Sequence, residues 1–325
     1  MRIASSVEDI LPLSGTGVTI GNFDGVHLGH QALIRRALEL CREKNLGGVL
    51  VTFTPHPRCV LASQRHIPLA GREERMKLLA ALGVENVLEL PFTPDMAVMS
   101  AEEFIRRFLL ALGMRRLVVG YDFSLGKNRG GSIEVLRGLG PRYGFTLERL
   151  APVLLDDGIV SSTRLRRMIA RGDVRGAGRL LGRRYGFSGE VAHGDKRGAG
   201  LGYPTVNLAK PEVLLPGDGV YATFMRHGSR CFPAVTNVGQ RPTFGGGTVT
   251  VESFLPGESV NLYGQSVSLE FVERLREERR FESAEHLGAQ IARDAEHARA
   301  VLSAEDPPHE VTDPDRATGR QTTGR

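Results

Sequence analysis

The residues of this chain that could do chemistry gather in a few short stretches. The first is Gly21-Asn22-Phe23-Asp24-Gly25-Val26-His27-Leu28-Gly29-His30, lying between an apolar strand pattern and a helical one. Two imidazoles would then stand at a helix mouth, where free N–H groups and positive potential favour an anion. An imidazole can donate a hydrogen bond to a phosphoryl oxygen. A glycine at position 29 lets a phosphate come close to backbone. The pattern suits a triphosphate, yet it lacks G-x-x-x-x-G-K-[ST] and so is not a P-loop. Two blander readings stand beside it. A His-x-x-His pair can hold a metal, although no third ligand follows at suitable spacing, and the turn could be purely structural.

The second stretch is Val160-Ser161-Ser162-Thr163-Arg164-Leu165-Arg166. Hydroxyls at a helix start cap it and bind anions, and a guanidinium forks onto phosphate. Taken alone it is equally an ordinary N-cap. The third is Gly194-Asp195-Lys196-Arg197-Gly198-Ala199-Gly200-Leu201-Gly202-Tyr203-Pro204-Thr205-Val206-Asn207. A glycine-rich, basic loop can fold over phosphates. In an extended segment Thr205 and Asn207 face the same way. A hydroxyl and an amide oxygen are hard donors suited to Mg²⁺.

Two kinds of framework would position these groups. In the first half, strand patterns at Thr16–Gly21, Gly48–Phe53, Asn86–Leu90 and Leu117–Gly120 alternate with helical ones at Gln31–Arg42, Arg72–Leu82 and Ala101–Leu112. Such alternation predicts a parallel sheet covered on both faces, with ligands beyond the carboxyl ends of its strands. Past Gly182–Arg184 the pattern changes to short β-like runs at Tyr185–His193, Gly219–Met225, Cys231–Val238, Thr248–Phe254 and Ser266–Val272. These predict a small antiparallel barrel. A helix over Ser283–Leu302 follows, capped by Ser283, and then a polar stretch from Asp306 to Arg325 that reads as disordered. The fold class expected is therefore α/β followed by β: a Rossmann-like domain over 1–182, a barrel domain with a C-terminal helix over 183–305, and a tail over 306–325.

Composition narrows the function classes. No apolar run reaches the length of a membrane span, and the first fifteen residues lack the apolar core of a secretory signal. Three scattered cysteines argue against a disulfide frame. Together these predict a cytoplasmic protein. The net charge of +5 would suit an anionic ligand or nucleic acid, but the basic residues are spread along the chain. Aromatic residues make up 6%, with no tryptophan, so the basic surface with interleaved aromatics favoured by single-strand binders is not evident.

The strand–G-x-F-D-G-x-H-x-G-H–helix context resembles the nucleotidyltransferase superfamily and, in detail, the bacterial FAD synthetases. Thr52-Phe53-Thr54-Pro55-His56-Pro57 and Gly120-Tyr121-Asp122-Phe123-Ser124-Leu125-Gly126-Lys127-Asn128-Arg129-Gly130-Gly131 fit that resemblance, with Leu125 standing where the family usually has an aromatic. The second half resembles riboflavin kinases, whose signature G-D-x-x-G-x-x-L-G-[FY]-P-T-x-N is filled at every position from Gly194 to Asn207. Asn237-Val238-Gly239-Gln240-Arg241-Pro242-Thr243-Phe244, Val251-Glu252-Ser253-Phe254 and Asn261-Leu262-Tyr263-Gly264 extend the match, with Asn261 replacing the usual acid. The chain thus resembles the bifunctional riboflavin kinase/FAD synthetases over roughly residues 16–303.

That resemblance implies phosphorylation of riboflavin to FMN and adenylylation of FMN to FAD, with release of pyrophosphate. It assigns His27 and His30 as catalytic groups on the ATP phosphates, within a site that includes Gly21, Phe23, Asp24, Gly29, Ser162, Thr163 and Arg166. It places Asp122 and Phe123 on the flavin side. For the kinase it assigns Gly194, Lys196, Gly198, Gly202 and Thr205 to ATP, Thr205 and Asn207 to Mg²⁺, and Glu252 as the catalytic carboxylate. Flavins would be substrates and products, and no bound prosthetic group would be required. The partners implied are riboflavin, FMN and ATP, with no nucleic acid and no membrane; oligomerisation cannot be read from the chain. Two rival functions remain: a chain in which one half alone is active, and a nucleic-acid-binding module.

Overall fold

The computed structural model describes residues 1–10, 13–62, 65–192, 203–209, 211–241, 248–258 and 260–307. The chain divides into two compact units, 1–164 and 165–325.

The first unit is built on a six-stranded sheet of β1 (Arg2–Ala4), β2 (Thr16–Ile20), β3 (Gly47–Thr54), β4 (Asn86–Pro91), β5 (Met114–Val119) and β6 (Thr146–Arg149), in the order β1-β4-β3-β2-β5-β6. Every pairing is parallel. The connections carry α1 (Leu28–Lys44), α2 (Pro57–Leu61), α3 (Arg72–Ala81), α4 (Pro94–Val98), α5 (Ala101–Phe104) and α6 (Ile133–Tyr143). The two-residue alternation of a strand explains the two layers. Val18, Ile20, Val49, Val51, Leu117 and Val119 face one core, shared with Phe104, Ile105, Leu109 and Leu136. Leu50, Val87 and Val118 face the other, shared with Leu33, Ile34 and Ala37 of α1 and Met76 and Leu79 of α3. Apolar residues on both faces are what a sheet covered on both sides requires.

Two departures from the sequence expectation have local causes. The helix expected over 101–112 becomes one α turn followed by a π turn at Ile105–Leu109, where the Leu110 N–H reaches back to the Ile105 carbonyl. The widened turn leaves Phe104, Ile105 and Leu109 all buried against the sheet. Strands β1 and β6 flank the sheet unforeseen, because one has three residues and the other, Thr-Leu-Glu-Arg, has no buried residue to advertise it. A two-stranded hairpin, β7 (Leu154–Leu155) with β8 (Gly158–Ile159), precedes α7 (Ser162–Ala170). The division between the units falls inside α7.

The second unit continues through α8 (Val174–Leu181) into a closed barrel of β9 (Tyr185–Ala192), β10 (Thr205–Leu208), β11 (Gly219–His227), β12 (Arg230–Arg241), β13 (Thr248–Phe254) and β14 (Ser266–Arg276). All six pairings are antiparallel. Alternation again sorts the side chains. Tyr221, Thr223, Thr236, Val238, Val251 and Ser253 are at most 1% exposed. Val220, Ala222, Phe224 and Val235 instead pack with Ala298 and Leu302 of α9 (Ala284–Ser303). Ser283 caps α9 by accepting from the His286 N–H, as the sequence suggests. Arg276 of β14 grips buried Asp294 of α9, with Nη2 to Oδ2 at 2.8 Å and Nε to both oxygens. The tail expected over 306–325 lies outside the described residues from 308 onward.

Candidate active site

In an open parallel sheet the crevice opens where the strand order reverses. Here the chain moves from β2 to β3 and β4 on one side, then returns to β5 on the other. The loops that follow β2 and β5, residues 21–27 and 120–131, therefore border the crevice.

The loop after β2 is an unusual backbone. Phe23, Gly25 and Val26 have φ of 49°, 80° and 42°. A valine at positive φ is strained, because its branched Cβ crowds the carbonyl, and surrounding structure must hold it there. The bonds that hold the loop are visible. Buried Asp24 accepts from the Leu69 N–H at 2.8 Å and stands 3.3 Å from His66 Nε2. Ser162 Oγ donates to the Asp24 carbonyl at 3.2 Å, which brings the start of α7 to the loop. Arg75 Nη1 donates to the Asn22 carbonyl at 3.4 Å while Nη2 donates to Glu89 Oε1 at 2.9 Å.

His27 is the N-cap of α1, its Nδ1 accepting from the His30 N–H at 3.3 Å. The two imidazoles stack with centroids 3.7 Å apart, and the edge of Phe23 supports His30. Burial, with His27 beside it, holds the His30 imidazole well below its ordinary pKa, so it is neutral at pH 7. Its Nδ1 is buried and has no hydrogen-bond partner. A Cβ at position 29 would lie 3.1 Å from the His27 ring and 3.4 Å from the Val160 carbonyl, so the glycine is what lets α1 start this close to its neighbours.

The fates of the expected residues differ. Gly21, Asp24, His27, Gly29, His30 and Ser162 fall together around this loop. Phe23 is wholly buried, so its ring packs and only its backbone can face a ligand. Asp24 has its carboxylate turned to Leu69 and His66. Ser161 caps α7 by accepting from the Arg164 N–H at 3.3 Å, which leaves Ser162 and Thr163 in the first turn. Arg166 lies half-buried on the same helix, past the division between units. In the loop after β5, Asp122 is exposed and Phe123 half-buried. Arg129 ties that loop to itself through Ser124 Oγ at 2.7 Å and the Asp122 carbonyl at 3.1 Å. Leu125 is buried in the sheet's core and offers no stacking surface. Gly126, at φ 77°, could carry no Cβ, since one would meet the Ala101 nitrogen at 2.4 Å.

Sequence reading missed Arg75, Glu89 and His66. Arg75 and Glu89 look like ordinary helix and strand charges. Only their burial, with side chains 14% and 5% exposed, marks them as a support beneath the loop. His66 stacks on His56, centroids 3.7 Å apart, and nothing near it in sequence signals that.

The second site lies on the outer wall of the barrel. Asn207 of β10 is paired with Glu252 of β13, and Glu252 is paired with Asn237 of β12. Thr205, two residues before Asn207, shares its face and is paired with Phe254. All five side chains are half-buried, whereas the alternate residues Thr236 and Ser253 point inward and are fully buried. The Tyr203 ring meets Phe254 edge-on at 5.2 Å. The Glu278 carboxylate occupies the place a Cβ would take at Gly239, on the same wall. Gly194, Lys196, Gly198 and Gly202 lie outside the described residues. Among the described residues no group of three or more His, Cys, Asp or Glu is placed to hold a metal ion. Thr205 and Asn207 offer hard oxygen donors beside a carboxylate, which fits Mg²⁺ brought in with ATP.

Fold and sites together define a two-unit nucleotide-using transferase, with a nucleotidyltransferase-like sheet and a separate kinase-like barrel. A family model for FAD synthetase matches residues 11–164, and one for riboflavin kinase matches residues 181–302. The chain is 38% identical to the bifunctional riboflavin kinase/FMN adenylyltransferase of Pseudomonas fluorescens, covering 93% of this chain and 98% of that one. It is 35% identical to the Escherichia coli K12 protein of the same name, over 94% and 100%. It superposes with TM-score 0.84 on a crystal structure described as a macrolide-efflux protein from Streptococcus pneumoniae, at 30% identity over 92% of this chain and 98% of that chain. Among the described residues no helix is long and apolar enough to cross a membrane. The chain belongs to the bifunctional riboflavin kinase/FMN adenylyltransferase family.

Proposed function

We propose that residues 183–305 phosphorylate riboflavin and that residues 1–182 adenylylate the FMN so formed, each at the site described above. The observation that carries the kinase assignment is the row of Asn207 and Glu252 on adjacent strands. Glu252 takes the proton of the riboflavin 5′-hydroxyl as that oxygen bonds to the γ-phosphorus of ATP. The bond from the γ-phosphorus to the β–γ bridging oxygen breaks, and ADP leaves. Thr205 and Asn207 would hold Mg²⁺, which supplies charge neutralisation at the phosphates.

In the adenylyl step an FMN phosphate oxygen bonds to the α-phosphorus of ATP. The bond from the α-phosphorus to the α–β bridging oxygen breaks, and pyrophosphate leaves. No protein nucleophile is required, so positioning and charge stabilisation do the work. His27 and His30 donate to the ATP phosphates at the mouth of α1. Ser162, Thr163 and Arg166 hold the β- and γ-phosphates, with Gly21 and Gly29 allowing close approach. Phe23 and Asp24 shape the loop, Asp122 and Phe123 face the flavin, and Gly194, Lys196, Gly198 and Gly202 bind the kinase ATP. The substrates are small molecules and the setting is the cytoplasm, with neither nucleic acid nor membrane as partner. Riboflavin, ATP and Mg²⁺ incubated with the protein should give FMN and then FAD by chromatography. Absence of both products would defeat the proposal, and FMN without FAD would restrict it to the barrel.

A further inference from the structure

Glu252 has a neighbour on each side. Asn207 is its partner on β10, and Asn237 is its partner on β12. Directly opposed side chains in an antiparallel pair have Cβ atoms roughly 4.5–5.5 Å apart, within reach of an amide and a carboxylate. Asn is depleted in strands, because its side chain competes for backbone hydrogen bonds. Here it stands mid-strand, half-buried, in the row that carries the carboxylate.

That row cannot slide. One residue along, Thr236 and Ser253 point into the barrel and bond to each other at 2.8 Å, and Thr236 also bonds Thr223 at 2.7 Å. A one-residue slip would push these bonded hydroxyls onto the outer wall. The donor inventory then divides the work. An ionised carboxylate only accepts, whereas an amide presents both an oxygen and two N–H donors. Mg²⁺ brought with ATP would take the oxygen of Asn207. Asn237 faces the carboxylate from the other side, next to Val220 on β11.

We propose that Asn237 is a positioning residue for the kinase step: with the substrates bound its Nδ2–H donates to Glu252 and holds the carboxylate toward the riboflavin hydroxyl. This rests on the reading of Glu252 as the base. The test is steady-state kinase kinetics of full-length Asn237→Ala, Asn237→Asp and Glu252→Ala, with riboflavin binding followed by flavin fluorescence. Asn237→Ala should lower kinase kcat roughly 10- to 100-fold, a modest share of the usual general-base effect, while riboflavin affinity and adenylylation of supplied FMN stay within about twofold. Added to Glu252→Ala it should cost nothing further. Asn237→Asp replaces the donor amide by a carboxylate, which only accepts, and should lower kcat at least as far as Asn237→Ala does.

An Asn237→Ala kcat within twofold of the unsubstituted protein overturns the inference. So does an Asn237→Asp kcat within twofold of the unsubstituted protein, or a loss of riboflavin affinity as large as the loss of kcat. If Glu252→Ala itself keeps kinase activity, the base assignment fails first and this inference with it. If Glu252→Ala is inactive and Asn237→Ala is not, this inference alone fails.

Discussion

Asn207 and Glu252 stand opposite one another on neighbouring antiparallel strands, although 45 positions separate them in the chain. One is a hard-oxygen donor and the other a carboxylate, and the barrel wall brings them together without any loop having to fold correctly. A site on strands holds its geometry better than one on loops. The carboxylate can therefore be tested by a single substitution.

Glu252→Ala should lower riboflavin phosphorylation by about 10²- to 10⁴-fold, the usual range for a positioned base. FAD formation from supplied FMN should be unchanged. Separate assays of the two steps decide it: if the adenylyl step falls equally, Glu252 is not specific to the kinase.

His30→Ala should do the converse, suppressing FAD formation from FMN and sparing phosphorylation. The same side chain couples to pH. Its pKa is lowered in the folded state by burial and by His27. The unfolded chain then binds a proton that the folded chain refuses. This contribution to stability is fully present above the ordinary imidazole value of about 6.5 and is lost as pH falls from there toward the lowered value. Hydrogen-exchange protection of α1 should therefore drop as pH falls below about 6.5 in the unsubstituted protein. His30→Phe should flatten that dependence. An equally steep drop in His30→Phe would place its origin elsewhere.

Glu89 and Arg75 form a buried pair under the strained loop, and Arg72, whose own side chain is 59% exposed, adds a contact to the other oxygen of the same carboxylate at 2.6 Å. Breaking a buried pair leaves one uncompensated partner and typically costs about 3–5 kcal/mol, whereas a largely exposed arginine can be replaced at the carboxylate by water and contributes less. Arg75→Met should destabilise far more than Arg72→Met in urea titrations. It should also impair adenylylation in whatever fraction remains folded, because Arg75 holds the Asn22 carbonyl. Equal effects of the two substitutions would show the pair to be unimportant.

The hydroxyl chain of Thr223, Thr236 and Ser253 inside the barrel gives a further contrast. Thr236→Val removes the central member and leaves Ser253 Oγ without its partner, while Thr223 Oγ1 keeps the Ala234 carbonyl at 3.3 Å. The change should cost about 1–3 kcal/mol. Replacing all three by apolar residues of similar size should recover much of that loss, because no donor is then left unpaired. A triple variant less stable than the single one would contradict this account.

Local pattern along the chain was enough to establish the class of each half. Alternating strand and helix patterns, the His27–His30 turn, the Pro-Thr-Val-Asn segment and the Ser283 cap are local signals, carried by residues a few positions apart, and each appears in the structure close to where its pattern puts it. What local pattern cannot carry is pairing at a distance. That Glu252 lies between Asn207 and Asn237, that Arg75 and Glu89 brace the loop at Asn22, and that Leu125 packs inward were decided by strand register and by burial. Register is set by which faces of whole strands must be dry, and burial by what the rest of the chain brings alongside, so both emerge only when distant segments meet.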